Sequence, residues 1–541
     1  MESVPERRPA LALGAAALSG LFAYLGTGLH PLPALTWLAM LPVLLIAPRV
    51  RWGWAAGAAA ASWVIGQSGL WAYFATTLEM PPPIVVGVLA CYPLLAAGGA
   101  VLFRALIRQG RPVAAALAVP ALWTAGEYLI SLAQPHGAWL SLGYTQAGVL
   151  PVLQVAAVTG VWGVTFLVTG AASAIAAIAA PGDRRGRLRV AASALVILTV
   201  AGAYATVRLL ASPQGPSIRV AVLGGPPDAE LSPDTGEGRA QLDTYLRQIG
   251  EQADRGARVV VLPEKAFDTD EQSWPLLADP LARIATTRHV DVVVGATARH
   301  EGVASNVAVA FPADGSAPAT YTKRHLIPGL EDHLTPGSGP PVGVPGAPAL
   351  ALVICKDLDF PALVRANRAA GAAVLLTPAW DMGGDGWLHG RMALVRGVEA
   401  GMSVARAGRN GRPVISDPAG HVRAEADNVR DPGAVIIADV PTGTGATPYA
   451  RIGDVFAWLC VAAVGVLIAV ARRQGHRANR SAALIRTTTA VAKWMPKATA
   501  LVPPLRNTIR VSPSGFSATT SMNQAAARGP AKAIRARPRM P

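Results

Sequence analysis

Acidic residues are missing from the end of this chain. From Val455 to the C-terminus there is no Asp or Glu, while 14 Lys and Arg fall there. The formal charge of the whole chain is +15, so the preceding 454 residues come to only +1. The basicity therefore belongs to a tail rather than a folded groove. No zinc-finger, RNA-recognition or helix-turn-helix signature accompanies it, and no nucleic-acid partner is expected. Cysteine is scarce as well: Cys91, Cys355 and Cys460 are the only three. Three scattered cysteines make neither a disulfide framework nor a zinc site. Cys91 and Cys460 lie inside apolar runs, where a small soft hydrophobe is the default role. Charged residues supply 15% of the chain and hydrophobic ones 52%, a departure from soluble proteins toward membrane proteins. At 541 residues the chain is too long for one ordinary domain, and two or three units are expected.

A membrane span needs about 20 mostly apolar residues. Eight such runs are present: 9–28, 32–48, 53–76, 83–107, 113–133, 150–180, 188–210 and 455–471. The sixth exceeds one span and is expected to tilt or to extend past the bilayer. Lys and Arg mark every second connection: Arg7 and Arg8, Arg49 and Arg51, Arg108 and Arg111, then Arg184, Arg185, Arg187 and Arg189, and finally Arg472 and Arg473. The alternate connections, His30–Pro33, Glu79–Pro82 and Gln134–Gly148, contain neither residue. Under the positive-inside rule the N-terminus and the tail face the cytoplasm, and the segment between spans seven and eight lies outside. The tail, 473–541, should be disordered, with a basicity suited to anionic headgroups.

Residues 217–441 have a different texture. Short apolar strands at Ile218–Leu223, Val259–Leu262, Val290–Val294, Val307–Phe311, Leu350–Ile354 and Val374–Leu376 alternate with helical patterns at Gln241–Ala253, Pro361–Ala370 and Arg391–Ala400. That alternation predicts an α/β domain. Three reactive residues stand at strand ends, where open α/β sheets usually build their sites: Glu264, Lys323 and Cys355. A thiol attacks a carbonyl as the thiolate. A nearby lysine cation favours that form and later faces an oxyanion. A carboxylate can take the thiol proton and return it to a leaving group. Cys, Glu and Lys thus suffice for acyl transfer through a thioester, with no metal or other cofactor. Taken singly, each residue has an ordinary explanation: a packed core thiol, a turn glutamate, a solvated lysine.

The surrounding strings favour chemistry. Leu262-Pro263-Glu264, the run from Lys323 to Glu331 and Ile354-Cys355-Lys356-Asp357 resemble, in order, the signature blocks of the nitrilase or carbon–nitrogen hydrolase superfamily. Phe360-Pro361, Thr377-Pro378-Ala379-Trp380 and Arg396-Gly397-Val398-Glu399-Ala400 extend the match. The resemblance implies an αββα sandwich in which Glu264 is the general base, Lys323 stabilises the tetrahedral intermediate and Cys355 is the nucleophile. It also implies that Glu331 supports the intermediate and that the Lys356 backbone N–H completes an oxyanion hole. Seven spans, an external domain of this type and one closing span resemble the apolipoprotein N-acyltransferase family. So do Pro120-Ala121-Leu122-Trp123 with Glu127, Trp139, Leu142-Gly143-Tyr144-Thr145-Gln146 and the Gly160–Leu167 string. A carboxylate such as Glu127 inside a span points to a functional contact, or to snorkelling near the span's end. Trp380 and Trp387 are candidates to line an acyl pocket, although large aromatics pack cores by default. His325 and His333 have no metal-ligand grouping around them, and no metal site is expected.

Three departures from that family stand out. Lys356-Asp357 follows the nucleophile where the family usually has Tyr-Glu. Gly224-Gly225-Pro226-Pro227 replaces a Gln-Asn pair and a Trp, and Ile130 stands where an Arg is expected.

The organisation expected from the sequence is a seven-span bundle over 1–211, an extracytoplasmic nitrilase-like domain over 217–441, a closing span over 455–471 and the basic tail. The expected activity is transfer of an acyl chain from a phospholipid, through a Cys355 thioester, to the α-amino group of a diacylated lipoprotein in a bacterial inner membrane. A membrane-tethered amidase or nitrilase is the alternative favoured by Lys356-Asp357. A catalytically silent lipoprotein-binding protein is a third reading, hard to reconcile with four retained reactive residues.

Overall fold

The computed structural model describes residues 9–211, 216–226, 230–443 and 445–473. The basic tail lies outside them. Among the described residues, six helices are long and apolar enough to cross a membrane: 9–26, 82–108, 112–133, 161–179, 184–210 and 455–473. Beside these six, the long helix Trp52–Ala72 runs on through a π-turn at Tyr73–Thr77. Small residues let these helices approach closely: Ala12, Ala16 and Ala23 share one buried cluster with Ala55 and Ala59.

Two expected spans are not single helices. The 32–48 run divides into Pro33–Thr36, Leu41–Ile46 and a last 3₁₀ turn at Ala47–Arg49. Pro42 and Pro48 each stand in the first turn of a short helix, where a missing donor is tolerated, and the first-turn Val43 amide reaches Ser19 Oγ (3.3 Å). The 150–180 run is not one rod. It breaks into Leu150–Leu153, Ala156–Thr159 and Val161–Ala179. Gly160, at φ +69°, makes the corner in a conformation that L side chains resist.

The α/β body consists of two sheets. Its strands are β1 (Ser217–Leu223), β2 (Val259–Val261), β3 (Phe267–Thr269), β4 (Asp291–His300), β5 (Val303–Phe311), β6 (Ala319–Thr322), β7 (Val342–Val344), β8 (Ala347–Leu352), β9 (Val374–Trp380), β10 (Ser403–Arg409), β11 (Val414–Ser416), β12 (Val422–Glu425) and β13 (Val435–Pro441). The first sheet has the order β13-β1-β2-β4-β5-β6, with β3 also on β4. The second has the order β12-β11-β10-β9-β8-β7. In both, the central strands are parallel and the outer ones antiparallel.

Alternation along the strands decides the layers. Val220, Val222, Val259, Val261 and Val293 point inward against Leu352, Ile354, Val374 and Leu376 of the second sheet. Ala221, Leu223, Val260 and Val292 point outward beneath helices 236–254 and 274–288. Helices 361–369 and 386–400 cover the other outer face. The result is an αββα sandwich. The 386–400 helix has a second packed face: Leu388, Met392, Val395 and Val398 join Tyr73, Phe74, Tyr128 and Trp162 in one cluster shared with the membrane helices.

Candidate active site

Glu264, Lys323 and Glu331 meet, all three buried, in the α/β body. Lys323, fully buried, follows β6 and donates to Glu264 Oε1 (2.8 Å) and to both Glu331 oxygens (3.0 and 2.8 Å). Asn306 on β5 donates from one amide nitrogen to Glu264 (2.7 Å) and Glu331 (2.9 Å). The Ile327 amide also donates to Glu331 Oε2 (2.9 Å). Burial alone would strip the Lys323 proton, but the two flanking carboxylates hold its pKa above the ordinary lysine value. Desolvation pushes Glu331 up, and the Lys323 cation outweighs it, so Glu331 titrates below the usual range.

Cys355 stands just past β8 at φ +35°, a left-handed conformation that a side-chain-bearing residue adopts only under constraint. Among the described residues its thiol makes one hydrogen bond, to the Trp380 carbonyl (3.6 Å). Burial and the Glu264 charge push the thiol well above its ordinary pKa, and Arg406 and Lys323 only partly counter them. The Lys323 cation does favour the thiolate, as its charge requires, but it does not outweigh burial and the Glu264 charge. The Lys323 charge is shared between two carboxylates, so the sulfur rests protonated and needs a base at the moment of attack.

Asp357 ties the cysteine turn to the lysine segment. It accepts from the Tyr321 hydroxyl (2.7 Å) and from the His325 amide (3.0 Å), and its Oδ1 lies 2.8 Å from His325 Nδ1. The Lys356 side chain turns toward the membrane half, with Nζ 3.0 Å from His136 Nδ1 and 3.6 Å from Asp359 Oδ2. Desolvation lowers Lys356. Desolvation and the adjacent Lys356 push His136 down to about 4. Gly137, at φ +53°, seats this loop: a Cβ there would stand 2.5 Å from the Asp359 carbonyl. The Ala138 amide donates to that same oxygen (2.8 Å).

Cys355 opens into a cavity of about 830 Å³. One wall is membrane helix and loop, including Tyr73, Phe74, Val88, Ile130 and Trp139. The other is α/β body, including Ile327, Lys356, Trp380 and Met382. Trp380 therefore lines the cavity, beneath the Arg409 guanidinium 4.2 Å from its ring. Trp387 is not among the wall residues; it packs near His30 (6.2 Å between rings) with Arg391 over its face. Glu127 is not among them either. Its carboxylate accepts from Trp123 Nε1 (2.9 Å), Ser141 Oγ (2.7 Å), Thr165 Oγ1 (2.9 Å) and the Leu142 amide (2.9 Å). Those four donors satisfy the carboxylate within the bundle.

At the cavity edge, donor atoms of Asp381, Asp385 and His389 lie within 4.8 Å of one another. Arg406 binds both Asp381 oxygens. Asp385 accepts from the Tyr73 hydroxyl (2.5 Å) and the Met382 amide (2.8 Å). These carboxylates already have partners within the protein. Sequence reasoning missed His136, Asn306, Asp359 and Asp385, because none sits in a recognisable string and each is brought in by tertiary packing.

Comparison with known proteins divides along the same architectural line. The carbon-nitrogen hydrolase family matches residues 219–449. The apolipoprotein N-acyltransferase N-terminal domain matches residues 19–174. A Geobacter metallireducens protein named apolipoprotein N-acyltransferase is 27% identical over 87% of this chain and 97% of its own. A Bradyrhizobium diazoefficiens protein of the same name is 28% identical over 74% and 80%. An amidase from Nesterenkonia sp. of known structure is 22% identical over 46% of this chain and 97% of its own, with a TM-score of 0.39. With the membrane half and the α/β half each matched in its proper place, the chain belongs to the apolipoprotein N-acyltransferase family of the nitrilase superfamily.

Proposed function

We propose that this protein moves an acyl chain from a membrane phospholipid to the α-amino group of a diacylglyceryl-cysteine lipoprotein. The observation that carries the reading is the position of Cys355. Its thiol feels the charges of Glu264 and Lys323 from the buried Glu–Lys–Glu cluster, and it opens into a largely apolar cavity whose far wall is membrane helix. A soluble amidase has no need of such a wall; two lipid-anchored substrates do. In this reading the domain faces the extracytoplasmic side of a bacterial cytoplasmic membrane, a placement supported by the distribution of Lys and Arg.

In this account Glu264 takes the Cys355 proton as sulfur attacks the ester carbonyl of the phospholipid. Lys323 and the Lys356 backbone N–H face the oxyanion. Collapse of the intermediate expels the lysophospholipid alkoxide, which receives the proton from Glu264, and leaves a thioester. The acceptor amine then attacks the thioester carbon. Its proton passes through Glu264 to the departing sulfur, and an amide remains. Glu331 and Asn306 keep Lys323 and Glu264 in register for both steps. One thiol serving donor and acceptor in turn predicts ping-pong kinetics.

The test is to supply purified protein with labelled phospholipid alone, then with a diacylated lipopeptide. Acyl-enzyme should accumulate in the first step and discharge as N-acyl lipopeptide in the second. A Cys355→Ala variant that still takes up label covalently would exclude the mechanism. Release of free fatty acid as the main product would favour the hydrolase.

A further inference from the structure

A second cavity lies within the bundle, on the side away from Cys355. It is a lateral groove of about 880 Å³ between helices 112–133, 161–179 and 184–210. Val113, Leu117, Phe166, Ala174, Ala194 and Ile197 are among its walls, and Ser193 is the one wall residue with a polar side chain. The groove exists because the 184–210 helix meets the rest of the molecule mainly at its two ends. Its buried residues are Gly186, Val190 and Ala205. At one end Gly186 sits so close to Pro112 that a Cβ would fall 2.7 Å from the proline ring. At the other, Arg208 donates to Gln154 (2.9 Å) and to the Pro418 carbonyl of the α/β body (3.1 Å). Between these props the helix is largely exposed.

Arg208 fixes the direction. Its end of the helix touches the α/β body, so Arg184, 24 residues earlier, stands about 36 Å away at 1.5 Å per residue. Four arginines gather there, Arg184, Arg185, Arg187 and Arg189, and the Gly186–Pro112 contact sets Arg111 beside them. None of the five has an ion-pair partner among the described residues. The adjacent carboxylate, Asp183, caps the helix by accepting from the Arg185 and Gly186 amides. Helical spacing links this cluster to the groove. Val190, Ser193, Ala194, Ile197 and Leu198 form the groove-facing stripe, and one turn back along that stripe is Arg187, which is half-buried.

We propose that this groove holds an acyl chain of an anionic phospholipid from the leaflet opposite the α/β domain, with the lipid phosphate seated between Arg187 and Arg111. The apolar slot supplies a place for the chain, and the unpaired guanidiniums supply a preference for negative headgroups. The site is separate from the Cys355 cavity and does not depend on the acyl-transfer reading.

The test uses the full-length protein in detergent with two photo-activatable phospholipids. Both carry a diazirine midway along the same acyl chain, one on phosphatidylglycerol and the other on phosphatidylcholine. Cross-linked peptides from 113–120 and 190–198 are expected, with phosphatidylglycerol favoured by about fivefold for each arginine engaged. Arg111→Gln with Arg187→Gln should erase the preference and leave labelling around the Cys355 cavity unchanged. Ala194→Phe, which fills the slot without touching charge, should reduce groove labelling by either lipid. Equal labelling by the two lipids in the unaltered protein, or labelling confined to the Cys355 cavity, overturns the proposal. So does groove labelling that survives Ala194→Phe undiminished.

Discussion

Lys323 separates two buried carboxylates, and its neutral replacement is informative. Lys323→Met leaves Glu264 and Glu331 without the cation between them, with only the Lys265 ammonium 3.7 Å from Glu331 in partial compensation. Removing one partner of a buried ion pair costs about 3–5 kcal/mol, so this variant should unfold well below the parent temperature as well as lose acyl-enzyme formation. Unchanged thermal unfolding would contradict the charge arrangement described above. His389 gives a pH handle. Burial works against its cation, but Asp385 and Asp381 outweigh burial and raise it to about 8. A raised histidine contributes stability that is whole below its unfolded value, near 6.5, and is lost as pH rises through about 8. The span of about 1.5 pH units caps this term at about 2 kcal/mol. His389→Gln should flatten the fall in thermal stability between pH 6 and 9, and a variant with the parent's pH slope would refute this. Glu264, Lys323, Glu331 and Cys355 were legible in the sequence because each stands in a string whose neighbours are also constrained. Asn306 was not, since a strand asparagine reads as ordinary until both glutamates are seen converging on its amide.

At the scale of elements, hydropathy located the apolar runs but not their breaks. A helix and a bent pair of short helices have the same composition. Only the Gly160 corner and the partners gathered around it distinguish them. There the Val161 amide donates to Glu399 (2.6 Å), and Arg396 holds the other Glu399 oxygen while also reaching the Tyr144 hydroxyl. The Arg396–Ala400 block, readable as a family string, thus fastens a membrane helix to the α/β body. Burial, only partly offset by Arg396, pushes Glu399 up to about 7. Glu399→Ala should leave the fully buried Arg396 without its carboxylate, at a cost of about 3–5 kcal/mol seen as a lowered unfolding temperature in detergent. Gly137→Ala should strain the loop that presses on the cysteine turn by about 1–3 kcal/mol. Because that loop abuts the Asp359 carbonyl, turnover should fall along with stability. A variant with the parent's kcat and unfolding temperature would show that the loop's approach is dispensable.

For the whole molecule, the division into bundle and body that composition suggests is not a division of cores. Leu388, Met392, Val395 and Val398 pack among Tyr73, Tyr128, Trp139 and Trp162. Residues 217–441 produced alone should therefore expose that face and elute as aggregates on size exclusion, in contrast to the full chain in detergent. A monodisperse excised fragment with a sharp melting transition would contradict a shared core. The body's connections follow a simpler logic. Its first and last strands are neighbours, with Ser217 opposite Pro441 and Leu223 opposite Val435. Polypeptide enters and leaves the sandwich at one edge. A gene segment bounded this way can be spliced between two membrane segments with short joins at a single doorway and no rerouting of the host chain. It can equally be exchanged for a relative's segment, provided the incoming piece brings a 386–400 helix shaped for its new neighbours.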